Sequence, residues 1–101
     1  MDYEKYMDLA ISEAYKAFEN NEVPIGCVIV YKDNVIGRGS NSRISDSNVL
    51  AHAEIKAINE ACKYIVDWRL EDCTLFVTVE PCPMCAGAIL QSRMKEIVFG
   101  T

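Results

Sequence analysis

The sequence predicts an α/β domain, a mixed sheet with helices on its faces. Three observations carry this expectation. Stretches of helical apolar spacing alternate with short runs rich in β-branched residues. The chain has 101 residues, one domain's worth (1–101), and 50% of them are apolar, enough for a real core. The last two strand-like runs are separated by a helix, and that connection implies parallel strands joined by a right-handed crossover.

The elements follow in order. Met7, Ala10, Ile11, Ala14, Ala17 and Phe18 recur at helical spacing, which predicts a first helix from about Asp2 to about Asn20. Asn20 and Asn21 form its stop, with Pro24 just beyond. Ile25 to Tyr31 reads as a strand, Lys32-Asp33-Asn34 as a turn, and Val35 to Gly39 as the returning strand of a hairpin. Ser40 to Asn48 is polar and reads as a loop. A second helix begins near Ala51, with Ile55, Ile58, Ala61 and Cys62 on one face. Thr74 to Val79 is a buried-type strand, Pro81 opens a helix running to about Ser92, and Lys95 to Gly100 is the last strand.

Composition narrows the function classes. The opening residues, with Asp2, Glu4 and Lys5, do not form a secretory signal, and no apolar run approaches the roughly 20 residues of a membrane helix. A cytoplasmic location is expected. Five cysteines, an odd number, suit reduced or metal-bound thiols better than a disulfide scaffold. A formal charge of -5 argues against generic binding to nucleic acid, which needs cations to displace counterions. Lys63, Arg69, Arg93 and Lys95 are available for a local basic patch, or are scattered surface cations.

His52-Ala53-Glu54 stands at a helix start, and Pro81-Cys82-Pro83-Met84-Cys85 stands where a strand hands over to a helix. Each half is weak alone. A C-x-x-C can be a redox pair or half of a zinc knuckle, and a lone histidine is usually a packing or surface residue. Together they match H-x-E…P-C-x-x-C, the signature of zinc-dependent base deaminases. Cysteines three apart at a helix start point the same way, and the helix N-terminus favours thiolates. His52, Cys82 and Cys85 make three ligands, which leaves a zinc ion one position for water. Glu54 suits a general acid/base beside that water, not a ligand. A closed structural site would need a fourth ligand from Cys27, Cys62 or Cys73, all in apolar stretches that read as core.

Three longer segments extend the match. Glu22-Val23-Pro24-Ile25-Gly26, Trp68-Arg69-Leu70-Glu71 and Thr78 through Ile89 resemble the bacterial tRNA-specific adenosine deaminases of the cytidine deaminase-like superfamily. The resemblance covers nearly the whole chain. It implies a three-layer α/β/α fold, one Zn2+ per subunit on His52, Cys82 and Cys85, and proton transfer by Glu54. It implies substrate contacts from Asn41, the Ala53 backbone, Val23 and Pro24, a tRNA anticodon loop as partner, and a homodimer. The implied reaction is hydrolytic conversion of the wobble adenosine to inosine through a zinc-activated water. Asn41 also reads as an ordinary turn asparagine.

The chain departs from the family pattern at Asn48-Val49-Leu50, where Asp-Pro-Thr is common, and at Val66, where glycine is common. Family members continue past Gly100-Thr101 with a further strand and terminal helices, so the sequence reads as C-terminally truncated. Two alternatives share the metal site. One is a deaminase of free cytosine, guanine or nucleosides. The other is a zinc-binding module without catalysis.

Overall fold

The computed structural model describes residues 1–100. Helix α1 (Tyr3–Glu19) starts at Asp2, whose carboxylate accepts the Lys5 N–H at 3.0 Å, and stops at Asn20. Asn21 follows with φ 60°, a left-handed conformation that asparagine tolerates. Strands β1 (Gly26–Tyr31) and β2 (Asn34–Ser40) form the expected hairpin. Its two-residue turn, Lys32-Asp33, has positive φ at both positions, the twist that suits antiparallel strands. A register shift falls between Ile29 and Val30. Helices α2 (Ala53–Ile65) and α3 (Pro83–Gln91) flank β3 (Thr74–Val77), and β4 (Glu96–Phe99) closes the order.

The sheet runs β2-β1-β3-β4. β1 is antiparallel to both β2 and β3, while β3 and β4 are parallel across α3, as a crossover requires. Successive strand residues face opposite sides and split the core in two. Val28, Val30 and Phe76 meet Tyr6 and Ala10 of α1. Cys27, Ile29, Leu75 and Val77 meet Ala53, Ala57 and Ala61 of α2 and Ile89 of α3. The result is three layers, α/β/α.

Five sequence expectations need correction. On α1 the buried positions are Tyr6, Ala10, Glu13, Ala14 and Ala17, whereas Ile11 and Phe18 are exposed. Glu13 is tolerated inside because Lys16 pairs with it at 2.8 Å and Arg38 at 3.5 Å. On α2 the inner stripe is Ala53, Ala57 and Ala61, with Ile58 and Cys62 at its margin and Ile55 outside the core cluster. Small residues win there because the helix lies against β2 at contact distance. A Cβ on Gly39 would collide with the Ala53 carbonyl, and one on Gly37 with that of Ala57. β3 ends at Val77 and not Val79. α3 begins at Pro83, since Cys82 is its N-cap and Pro81 precedes it. Cys62 is half-buried, unlike the fully buried Cys27 and Cys73.

Candidate metal centre

The site is assembled from two helix starts at the same end of the sheet. His52 is the N-cap of α2 and Cys82 the N-cap of α3, and neither side chain makes a capping hydrogen bond. Both are therefore free to turn toward each other. Cys85 is the third residue of α3, the position an N-cap side chain ordinarily reaches. That spacing brings the two thiols side by side. Cys82 Sγ lies 3.7 Å and Cys85 Sγ 3.5 Å from His52 Nδ1. The ligand atoms of the three residues all lie within 4.8 Å of one another, so this group can hold a metal ion. Among the described residues Cys27, Cys62 and Cys73 do not join it.

Glu54 stands in the first turn of α2, where a carboxylate is favoured by the helix dipole, and is 3% exposed. Its charge is felt by Cys85 and by Cys27 beneath it. Burial first, then Glu54 and Cys82, push the Cys85 thiol well above its ordinary value. This opposes the thiolate-favouring effect expected of a helix N-terminus. Burial likewise pushes the Cys27 thiol up, and the Cys73 thiol to about 11.

Asn41 leaves β2 and is buried. Its Oδ1 accepts the Ala53 N–H at 2.8 Å, and its own N–H donates to the Ile25 carbonyl. Nδ2 has no partner among the described residues and is not sealed from solvent. Asn41 and Val23 line one cavity of about 460 Å³, together with Arg43, Ile44, Asn48 and Val49. Ala53 is fully buried. Pro24 faces elsewhere, in an apolar groove with Ile11, Tyr15 and Phe18 of α1.

The two departures from the family pattern have local structure. In the first, Asn48 Oδ1 accepts the Leu50 N–H at 2.9 Å, and the Asn48 carbonyl accepts that of Ala51 at 3.1 Å, folding a tight turn into His52. In the second, Val66 ends α2 in the left-handed conformation at φ 61°, ψ 41°. Beyond it, Arg69 and Arg93 both lie over the exposed Trp68 ring, at 5.6 and 5.7 Å, across α2 from His52. Arg69 also pairs with Asp67 at 3.1 Å. No helix among the described residues is long and apolar enough to cross a membrane.

A three-layer α/β/α sheet with a His-Cys-Cys group at paired helix starts defines the class as a deaminase-type domain. Residues 1–101 match the MafB19-like deaminase family, and the chain belongs to it. The sequence is 54% identical over 97 residues to the tRNA-specific adenosine deaminase of Bacillus subtilis, covering 96% of this chain and 60% of that protein. The chain thus spans about three-fifths of the length of the curated relatives it matches. It superimposes on a tRNA:A34 deaminase with TM-score 0.95 and 41% identity, covering 98% of this chain and 76% of that one. A guanine deaminase from Bacillus subtilis gives TM-score 0.96 at 35% identity, covering 100% and 65%.

Proposed function

We propose that this protein hydrolytically deaminates adenosine to inosine at the wobble position of tRNA. The carrying observation is a contrast between two Bacillus subtilis proteins. The guanine deaminase matches the fold with TM-score 0.96 at 35% identity, whereas the tRNA-specific enzyme is 54% identical. Backbone shape does not separate the two substrates, and the higher residue identity supports the tRNA reading.

The metal is zinc in this reading. A tetrahedral ion with Zn–S of about 2.3 Å and Zn–N of about 2.0–2.1 Å requires N···S separations of about 3.6 Å. The observed 3.5 and 3.7 Å support that fit. When bound, zinc supplies Lewis acidity toward a water in its fourth position. His52, Cys82 and Cys85 orient it, and Glu54 moves the protons. The Glu54 carboxylate accepts a proton from the attacking water as the water oxygen joins C6 of the base, and delivers it to the ring nitrogen beside C6. Glu54 then takes the remaining proton of the hydroxyl added at C6 and passes it to the amine; the C6–O bond becomes a carbonyl, the C6–N bond breaks, and ammonia leaves. Burial of Glu54 keeps bulk water from competing for these protons.

Asn41 offers Nδ2 to the target nucleotide, and the Ala53 backbone and Val23 shape the base pocket, whereas Pro24 lies in the groove against α1 and takes no part. The reading extends to a homodimer in the cytoplasm with the anticodon loop of tRNA as partner. An anticodon loop presents its base at low unstacking cost, and it reaches an acidic protein through local contacts instead of net charge.

Guanine deamination is the second reading, because the fold matches a guanine deaminase and a tRNA:A34 deaminase equally well, with TM-scores of 0.96 and 0.95. A panel of anticodon stem-loop RNA, free cytidine, cytosine and guanine, run beside metal analysis, tests both. Inosine formed in the RNA with one zinc per chain is expected. Turnover of guanine alone would replace the first reading by the second, and zinc without turnover of any substrate would sink both.

A further inference from the structure

The cavity beside Asn41 has two walls. One is the Asn21–Val23 segment that follows α1, and the other is the 41–49 loop. Glu22 joins them. It is 7% exposed, and its N–H closes α1 by donating to the Ala17 carbonyl at 2.9 Å. Its carboxylate reaches across to the loop. Oε1 accepts the Ile44 N–H at 3.2 Å, and Oε2 accepts the Ser45 N–H at 2.8 Å and the Ser45 hydroxyl at 2.6 Å. Just beyond the first wall, the Asn41 N–H donates to the Ile25 carbonyl at 3.2 Å, where the loop leaves β2. The loop has a second tether, but it runs to α2. Lys56 Nζ reaches Ser42 Oγ at 2.7 Å, and Ser42 donates to Asp46 at 2.7 Å. That tether holds the loop on the metal-site helix and leaves its distance from Val23 to Glu22.

All three partners of the Glu22 carboxylate are donors, so the position calls for a group that only accepts. A glutamine would aim its NH2 at one of those donors. We propose that Glu22 is a positioning residue. It sets the width of the cleft between Val23 and the 41–49 loop, and the cleft takes the RNA adjoining the target nucleotide. For its substrate this rests on the tRNA reading above. Glu22 itself touches no reacting atom. A free base needs only the innermost pocket, whereas a polynucleotide must continue through the cleft. Loss of the clamp therefore weakens RNA more than free base.

The test compares wild type, Glu22→Gln and Ser45→Ala by amide hydrogen exchange, zinc content, and kinetics on anticodon stem-loop RNA and free guanine. Glu22→Gln is expected to retain zinc and to speed exchange at Ile44 and Ser45. Its kcat/KM on RNA should drop roughly ten- to hundredfold, mainly through KM, with a smaller loss on any free base turned over. Ser45→Ala should move each readout the same way by less, and it decides the matter if Glu22→Gln does not fold. Unchanged exchange at Ile44 and Ser45, or equal proportional losses on RNA and free base, would overturn the proposal. If wild type turns over guanine and not RNA, the tRNA reading fails and exchange alone decides whether Glu22 holds the loop.

Discussion

Asn41 Oδ1 accepts the Ala53 N–H at 2.8 Å, tying the loop after β2 to the first turn of the helix that carries His52 and Glu54. The first amides of a helix lack partners within it, and α2 has no capping bond from its own N-cap. Asn41 fills that need from outside the helix. The bond therefore couples two parts of the site, one carrying His52 of the group that could hold a metal and the other lining the cleft.

Asn41→Ala leaves a buried N–H unpaired and should cost about 1–3 kcal/mol in denaturant unfolding. Asn41→Asp keeps the acceptor and should unfold closer to wild type. Both variants lack Nδ2 and should lose turnover of RNA. Wild-type turnover by Asn41→Asp would remove the side chain from substrate binding and leave it the structural role alone.

Glu54→Ala should keep a full complement of metal, because the group that could hold the ion is His52, Cys82 and Cys85. Turnover should fall by a factor of about 10²–10⁴ or more, the range for loss of a general acid/base. Metal analysis and single-turnover assays on the same sample check both halves. Full activity in this variant would end the assigned role.

Val66 is a β-branched residue held at φ 61° and 88% exposed, where a left-handed backbone crowds Cβ against the following carbonyl. Val66→Gly should raise stability by about 1 kcal/mol, since glycine has no such penalty and little packing is given up. Thermal unfolding reads the change directly. An unchanged or lower midpoint would show that the strain is relieved elsewhere.

The clamp around the 41–49 loop should be acid-sensitive. Hydrogen bonds from Ser45 hold the Glu22 carboxyl below its ordinary value, against burial and the like charge of Asp46. A hydrogen bond from Ser42, and then Lys56, do the same for Asp46. Both groups bind protons more weakly folded than unfolded. Their stabilisation is therefore full above the ordinary carboxylate values near about pH 4 and is lost as pH falls through the lower folded ones. Unfolding free energy measured from neutral pH down into that window should fall, and Glu22→Gln should flatten the slope. An identical slope in the variant would exclude Glu22 as a contributor. Asp67, held low by Arg69, provides a background that this substitution leaves intact.

Much of the molecule is legible in the chain itself. The order of elements, the parallel β3–β4 pair and the hairpin follow from spacing and turn residues, because these are local properties of the backbone. The His/Cys/Cys group that could hold a metal was legible for a similar reason. His52-Ala53-Glu54 and Cys82 to Cys85 are compact motifs, and each rides on one helix start.

What the tertiary structure decided lies between elements distant in sequence. Apolar periodicity pointed to Ile11 and Phe18 on α1, yet close approach to the sheet selected Tyr6 and a row of alanines. It pointed to Ile55 on α2, yet contact with Gly37 and Gly39 selected Ala53, Ala57 and Ala61. The rise of the Cys85 thiol comes from burial first and then from the charge of Glu54 on the other helix. The Glu22 clamp joins residues more than twenty positions apart, and no periodicity or motif marks it. Local chemistry sets which helices and strands form and which side chains can bind metal. Only close packing, which brings backbone to backbone and leaves no room for a wrong side chain, decides which face is buried and which carboxylate holds the cleft in place.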